Sequence, residues 1–198
     1  SPTKRMKACL NTLTAALLTC VLSGCLASPA SKSPPPGPIT GGAFATGQYR
    51  NLFVEAGRSP QEVTTRINSA FEQLFHGDPN SEAVYFPAGT NANGALAYIH
   101  DLNSGDVRSE GLSYGMMIAV QLNRRAEFDA LWNWSKTYMY HASPRHPARG
   151  YFSWSMQTNG VPNDEMPAPD GEEYFATALY FASARWGDGP GIFQYRAE

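Results

Sequence analysis

Asp106, Arg108 and Glu110 occupy alternate positions and lead straight into Gly111, Leu112, Ser113, Tyr114 and Gly115. A second carboxylate, Asp170, stands in a similar setting in "APDGEEYFATALYFASARW", where Gly171 follows it. Paired acidic side chains at helix starts are what glycosidic bond cleavage needs. One donates a proton to the leaving oxygen, while another works on the sugar or the attacking water. Taken singly, each also reads as an ordinary acidic residue answering the helix dipole. The glycine after each one tips the balance, because a residue without a side chain lets a ligand approach the backbone.

Aromatic residues supply the matching surface. In "GYFSWSM", strand-like alternation predicts Tyr151 and Ser153 on one side and Phe152 and Trp154 on the other. Flat apolar rings beside hydrogen-bonding groups suit the C–H faces of sugars, and Gln157 and Asn159 could meet hydroxyls. Phe152 serves equally well as a core residue. His76, His100, His141 and His146 are scattered without ligand spacing, so no metal is expected. "GDGPGIF" lacks the surroundings of a nucleotide-binding loop, and no cofactor is expected.

These groups need elements to hold them. Ser59 as N-cap, Pro60 in the first turn and Glu62 closing a capping box predict a helix. Its apolar face would carry Val63, Ile67, Ala70, Phe71, Leu74 and Phe75, and "HGDPN" would stop it. Residues 81–106 read as loop with at most a short strand. Further helices are predicted over 111–123, 125–140 and 172–186, with a long aromatic-bearing loop before the last. Met116 and Met117 are expected in the core. The prediction is a mostly helical architecture whose faces leave apolar surface open, as in a piece of a larger domain.

The chain has 198 residues, and its N-terminal segment reads differently from the rest. Lys4, Arg5 and Lys7 precede an apolar run that ends in "LSGC". With Met6 as the expected start, residues 1–25 read as a secretory signal with a lipoprotein box, and Cys25 as the lipidated residue. Residues 26–42, rich in Pro, Ser and Gly, read as a tether. An exported cell-envelope lipoprotein follows, attached to the membrane only through that lipid. All three cysteines lie in the leader, leaving none for a disulfide or a thiolate site in the remainder. Setting those three basic residues aside from 15, against 17 acidic ones, leaves a formal charge of −5, a poor match for nucleic acid.

"DVRSEGLSYGMMIAVQ", "GYFSW" and "APDGEEYFATALYFASARW" together resemble glycoside hydrolase family 8, and within it the reducing-end xylose-releasing exo-oligoxylanases. The likeness extends over nearly everything from about Gly42. Of the family's aspartate signature, Ala168, Asp170, Gly171, Ala176, Ala178, Leu179, Ala182 and Trp186 stand in register. Pro169, Glu172, Phe175 and Tyr180 depart from it, which tells against the cellulase branch.

The resemblance implies an all-α fold, an incomplete (α/α)6 barrel, with residues 43–198 as the N-terminal portion of a catalytic domain. It also implies inverting hydrolysis of β-1,4-linked xylo-oligosaccharides by a monomer. Glu110 would be the general acid, kept protonated by burial against Tyr114 and a nearby carboxylate, while Arg108 and the helix dipole oppose this. Asp170 would bind and distort the sugar at the cleavage point, with Trp154 stacking on a neighbouring ring and Tyr114 and Arg108 also meeting substrate. The catalytic base would be an aspartate of the later half, beyond Glu198. Two rivals remain open: an endo-acting xylanase or glucanase of the same family, and a surface lipoprotein that binds sugar without cleaving it.

Overall fold

The capping box forms as its residues dictate. Ser59 Oγ accepts from the Glu62 backbone N–H at 3.1 Å, and the Glu62 carboxylate accepts from the Ser59 N–H at 2.8 Å. These bonds open helix α2, Pro60–His76, which follows a single turn, α1, Leu52–Glu55. The computed structural model describes residues 46–198. The chain divides at Arg50, and the unit discussed below is Asn51–Glu198. The leader, Cys25 and the tether lie outside the described residues. None of the described helices is long and apolar enough to cross a membrane.

Only Phe71 and Phe75 of α2 are buried, stacked at 4.3 Å, with Phe75 stacked in turn on Tyr85. Ile67 and Leu74 stay exposed, contrary to the predicted face, and only the two phenylalanines of the helix's C-terminal half are buried.

The segment expected to be loop is instead an antiparallel hairpin, β1 Tyr85–Asn91 and β2 Gly94–Ile99. Pro87 and Gly89 conceal it in the sequence. In a two-stranded sheet Pro87 needs no ladder donor, and Gly89, at φ 84°, lies in the irregular stretch between Pro87 and Thr90. Asn133, fully buried, secures the hairpin: its amide donates to Asn91 Oδ1 and to the Ala95 carbonyl, each at 2.9 Å.

Three longer helical elements follow. They are α3, Ser109–Gln121; α4, Arg125–Trp134, which continues as a π-helical turn over Ser135–Met139; and α5, Pro169–Trp186. The π-turn has a local cause. Ser135 and Thr137 hydroxyls donate to the carbonyls of Leu131 and Asn133, four residues back, and compete with the regular ladder. Leu112, Met116, Phe128, Trp132, Phe175 and Ala178 form the centre of the core, and Met117 sits at its edge.

The long loop before α5 also holds structure. β3 Val107–Arg108, β4 Ser155–Met156 and β5 Pro162–Asp164 pair antiparallel in that order. The helical framework therefore carries two small sheets that the sequence reading did not include. On the outside, Ile118 of α3 and Tyr174, Tyr180 and Phe181 of α5 are exposed, the open apolar surface that the helix faces predicted.

Candidate active site

β3 runs without a break into α3, and the two carboxylates fall at matching places. Glu110 is the second residue of α3 and Asp170 the second residue of α5. Each lies inside the first turn, not ahead of it, and neither acts as the N-cap, which is Arg108 in one helix and Ala168 in the other. Asp170 Oδ1 accepts from the Gly171 N–H at 2.9 Å.

The glycines have a different task from the one predicted. A Cβ on Gly171 would lie 2.4 Å from Ser109 Oγ, 2.7 Å from Ser109 Cβ and 3.0 Å from its backbone carbon. A Cβ on Gly111 would sit 3.5 Å from the Ile99 side chain. Both positions thus face neighbouring elements, not a ligand. Successive helical side chains point about 100° apart, so a residue beside an outward carboxylate turns inward. Gly171 lets the start of α5 press on the start of α3, which brings Glu110 and Asp170 to adjoining helix ends.

One turn beyond each carboxylate stands a tyrosine: Tyr114 after Glu110 and Tyr174 after Asp170. Their rings meet edge to face at 4.9 Å. The Tyr114 hydroxyl is pushed above its ordinary pKa, first by its hydrogen bond to Glu110, then by partial burial and by the negative charges of Glu110 and Asp170. Tyr114 therefore senses both carboxylates. Glu110 itself is exposed, and the burial expected to keep it protonated is absent from the described surroundings. Tyr174 was missed by the sequence reading, although its spacing from Asp170 repeats that of Tyr114 from Glu110.

Trp154 is half-buried beside β3. Its carbonyl accepts from the Ser109 N–H at 3.0 Å and its backbone N–H donates to the Met166 carbonyl at 3.0 Å. The Arg108 guanidinium lies over the indole, 5.4 Å from the ring centroid. The indole N–H holds the Asp164 carboxyl below the usual range, helped by the Met166 N–H. The predicted alternation fails here. Phe152 and Ser153 are both buried, and Tyr151 is exposed. Phe152 is clamped between Trp132 at 5.7 Å and Phe175 at 5.0 Å, so the core role applies to it. The run bends at Tyr151 and again at Trp154, and the Ser153 hydroxyl turns inward to meet His141 Nε2 at 3.0 Å, so period-two alternation does not hold. Asn159 is occupied in its own turn, accepting from the Val161 N–H, and Gln157 is exposed.

Arg108 is held from several sides. Its Nε lies 3.0 Å from Asp106 Oδ1 and 3.2 Å from Asp101 Oδ2, and Nη2 donates to Ser104 Oγ. Asp106 Oδ2 accepts from Ser155 Oγ at 3.0 Å, and Asn163 donates to that same hydroxyl oxygen at 3.2 Å. Asp106 was visible as an alternate charge. Asp101 reaches the group only through the bridge that pairs it with Asp106.

Other acidic residues nearby are committed to structure. Glu172 Oε1 accepts from the Phe152 N–H at 2.9 Å and so fixes the Trp154 segment to α5. Burial pushes the Glu172 carboxyl up from 4.5, with the Phe152 bond opposing. The folded state thus holds this proton more tightly than the unfolded chain. The resulting stability is full below pH 4.5 and is lost as pH rises through the folded value. Glu172→Gln keeps an acceptor and removes the titration, so its Tm should gain on wild type as pH rises from 4 to 7. Parallel Tm profiles for the two proteins would refute this. His141 and His146 stack at 3.7 Å within 5° of parallel, and both meet Glu165. Among the described residues no group of three or more His, Cys, Asp or Glu side chains is arranged to hold a metal ion.

Comparison with known proteins adds to this geometry. The profile described as Glycosyl hydrolases family 8 matches residues 92–198. The reducing-end xylose-releasing exo-oligoxylanase Rex8A of Paenibacillus barcinonensis is 46% identical over 161 residues, which are 81% of this chain and 40% of that protein. The corresponding enzyme of Halalkalibacterium halodurans is 50% identical over 150 residues, 76% of this chain and 37% of that protein. Among solved structures, a xylanase of the same family from Teredinibacter turnerae, a catalytic mutant in complex with xylohexaose, superimposes with a TM-score of 0.77. It is 66% identical, over 78% of this chain and 39% of that one. The chain thus spans about 40% of the length of these relatives.

Proposed function

Since the chain belongs to glycosyl hydrolase family 8, we propose that it is the acid-bearing portion of an enzyme that hydrolyses β-1,4-linked xylo-oligosaccharides with inversion, releasing xylose from the reducing end. Glu110 protonates the leaving oxygen, and Asp170 binds the sugar at the cleavage point. Tyr114 adjoins both carboxylates, and Trp154, backed by Arg108, stacks on a neighbouring ring. The base that activates water is an aspartate in the part of the longer protein that follows these residues. The observation that carries this reading is the packing of the two helix starts that bear these first-turn carboxylates, with Tyr114 acted on by both.

Residues 43–198 are read as the first helix pairs of an (α/α)6 barrel. The exposed apolar face of α3 and α5 and the share of the relatives' length covered both support this. Residues 1–25 and 26–42 are read as a leader lipidated at Cys25 and a tether, which would place a monomeric enzyme at the cell envelope.

A second reading, internal cleavage of xylan, is favoured by the 66% identity to the Teredinibacter turnerae protein described as a xylanase. The test is to sequence the gene downstream of Glu198 and to assay the encoded polypeptide on xylotriose, xylohexaose and cello-oligosaccharides. Xylose lost one unit at a time from the reducing end supports the first reading, and shorter oligomers from the interior support the second. Binding without cleavage by the complete product would refute both.

A further inference from the structure

The reading of Trp154 as a sugar platform leaves open what sets the indole's orientation, and the groups behind it point to Asp106. An arginine on an open surface swings through many rotamers, and a single exposed ion pair does little to stop it. Arg108 is not in that situation: three side chains from the turn before it converge on its guanidinium, two of them carboxylates. Asp106 is the most buried of these, with 13% of its side chain exposed. It is also the one whose second oxygen is used elsewhere, on Ser155, directly opposite Arg108 in the β3–β4 ladder and next to Trp154 in the chain.

We propose that Asp106 is a positioning residue for the sugar platform. One carboxylate oxygen holds Arg108 over one face of the Trp154 indole and the other ties down the strand that begins at the next residue, so that a sugar ring stacks on the opposite face. A cation held on one face of an aromatic ring is attracted by its π-electrons and keeps that face from solvent. Asp106 itself touches no substrate. Losing it should loosen sugar binding without disturbing proton transfer at Glu110.

The test uses the full-length protein with Asp106→Ala and Asp106→Asn. Asp106→Asn keeps an acceptor for Arg108 but loses the charge and sets its amide NH₂ against a Ser155 hydroxyl that already accepts from Asn163, so its KM should rise less than that of Asp106→Ala. Asp106→Ala should raise KM for xylotriose roughly tenfold with kcat changed less than about threefold, the pattern of lost uniform binding. Its near-ultraviolet circular dichroism should differ from wild type, and that difference should vanish when both are compared in a Trp154→Phe background. An unchanged KM in Asp106→Ala, or a spectral difference that persists without Trp154, would overturn the proposal. If Asp106→Ala does not fold, an unchanged KM together with an unchanged near-ultraviolet spectrum in a well-folded Asp106→Asn would also overturn it, because that variant loses the bond accepted from Ser155. Should the wild-type protein act on no xylo-oligosaccharide, the proposed function fails, while the Trp154 signature still decides whether Asp106 orients the indole.

Discussion

Glu110→Gln in the full-length protein should lower kcat on xylotriose by roughly 10²- to 10⁴-fold, the usual contribution of a positioned general acid. Gln has the shape of Glu and can still accept from Tyr114, so the site keeps its form and loses only a transferable proton. KM should change little. The loss should shrink on an activated aryl xyloside, whose leaving group departs without protonation. Wild-type kcat on xylotriose in the variant, or an equal loss on both substrates, would remove Glu110 from the acid role. The pH profile offers a second check. The exposed Glu110 must still supply its proton, so Tyr114→Phe, which deletes a hydroxyl hydrogen-bonded to Glu110, should shift the alkaline limb of kcat, where the general acid loses its proton. Without that shift, Tyr114 has no part in setting the acid.

Gly171→Ala should damage stability and activity together. Its new methyl would start 2.4 Å from Ser109 Oγ and 3.0 Å from a backbone carbon, and Ser109 is buried, so the helix ends must move apart. Overpacking of this kind costs about 1–3 kcal/mol, and a chain of this size loses roughly 2–4 °C of Tm per kcal/mol. Because the same contact brings Glu110 beside Asp170, a shift on the order of 1 Å should also reduce kcat by about 10²-fold. Ser109→Gly should partly rescue both, since it removes the two side-chain atoms in the way. A stable, fully active Gly171→Ala protein would mean that this contact does not set the spacing of the carboxylates.

The part of the fold that was legible in the sequence is the part set by near neighbours. Ser59 and Glu62 lie three residues apart, and both of their bonds form as the spacing predicts. The helices predicted over 111–123 and 172–186 form as α3 and α5, each beginning two or three residues earlier than expected. Misreadings arose where a local signal had two physical meanings. Pro87 and Gly89 read as turn formers and instead sit in a two-stranded ladder held by buried Asn133. Gly171 read as room for a ligand and instead admits Ser109, while Gly111 faces Ile99 at a distance where a methyl would also fit.

By itself the sequence determined the carboxylates, the residues of the aromatic segment and the family likeness, because these rest on residue type and short spacing. Only the tertiary structure decided that the helix starts bearing Glu110 and Asp170 pack together, that Trp154 and not Phe152 stands at the surface, and that Arg108 is clamped against Trp154 by Asp101 and Asp106. Each of these depends on partners from separate elements, and which partners meet is decided by how closely two helix ends can pack.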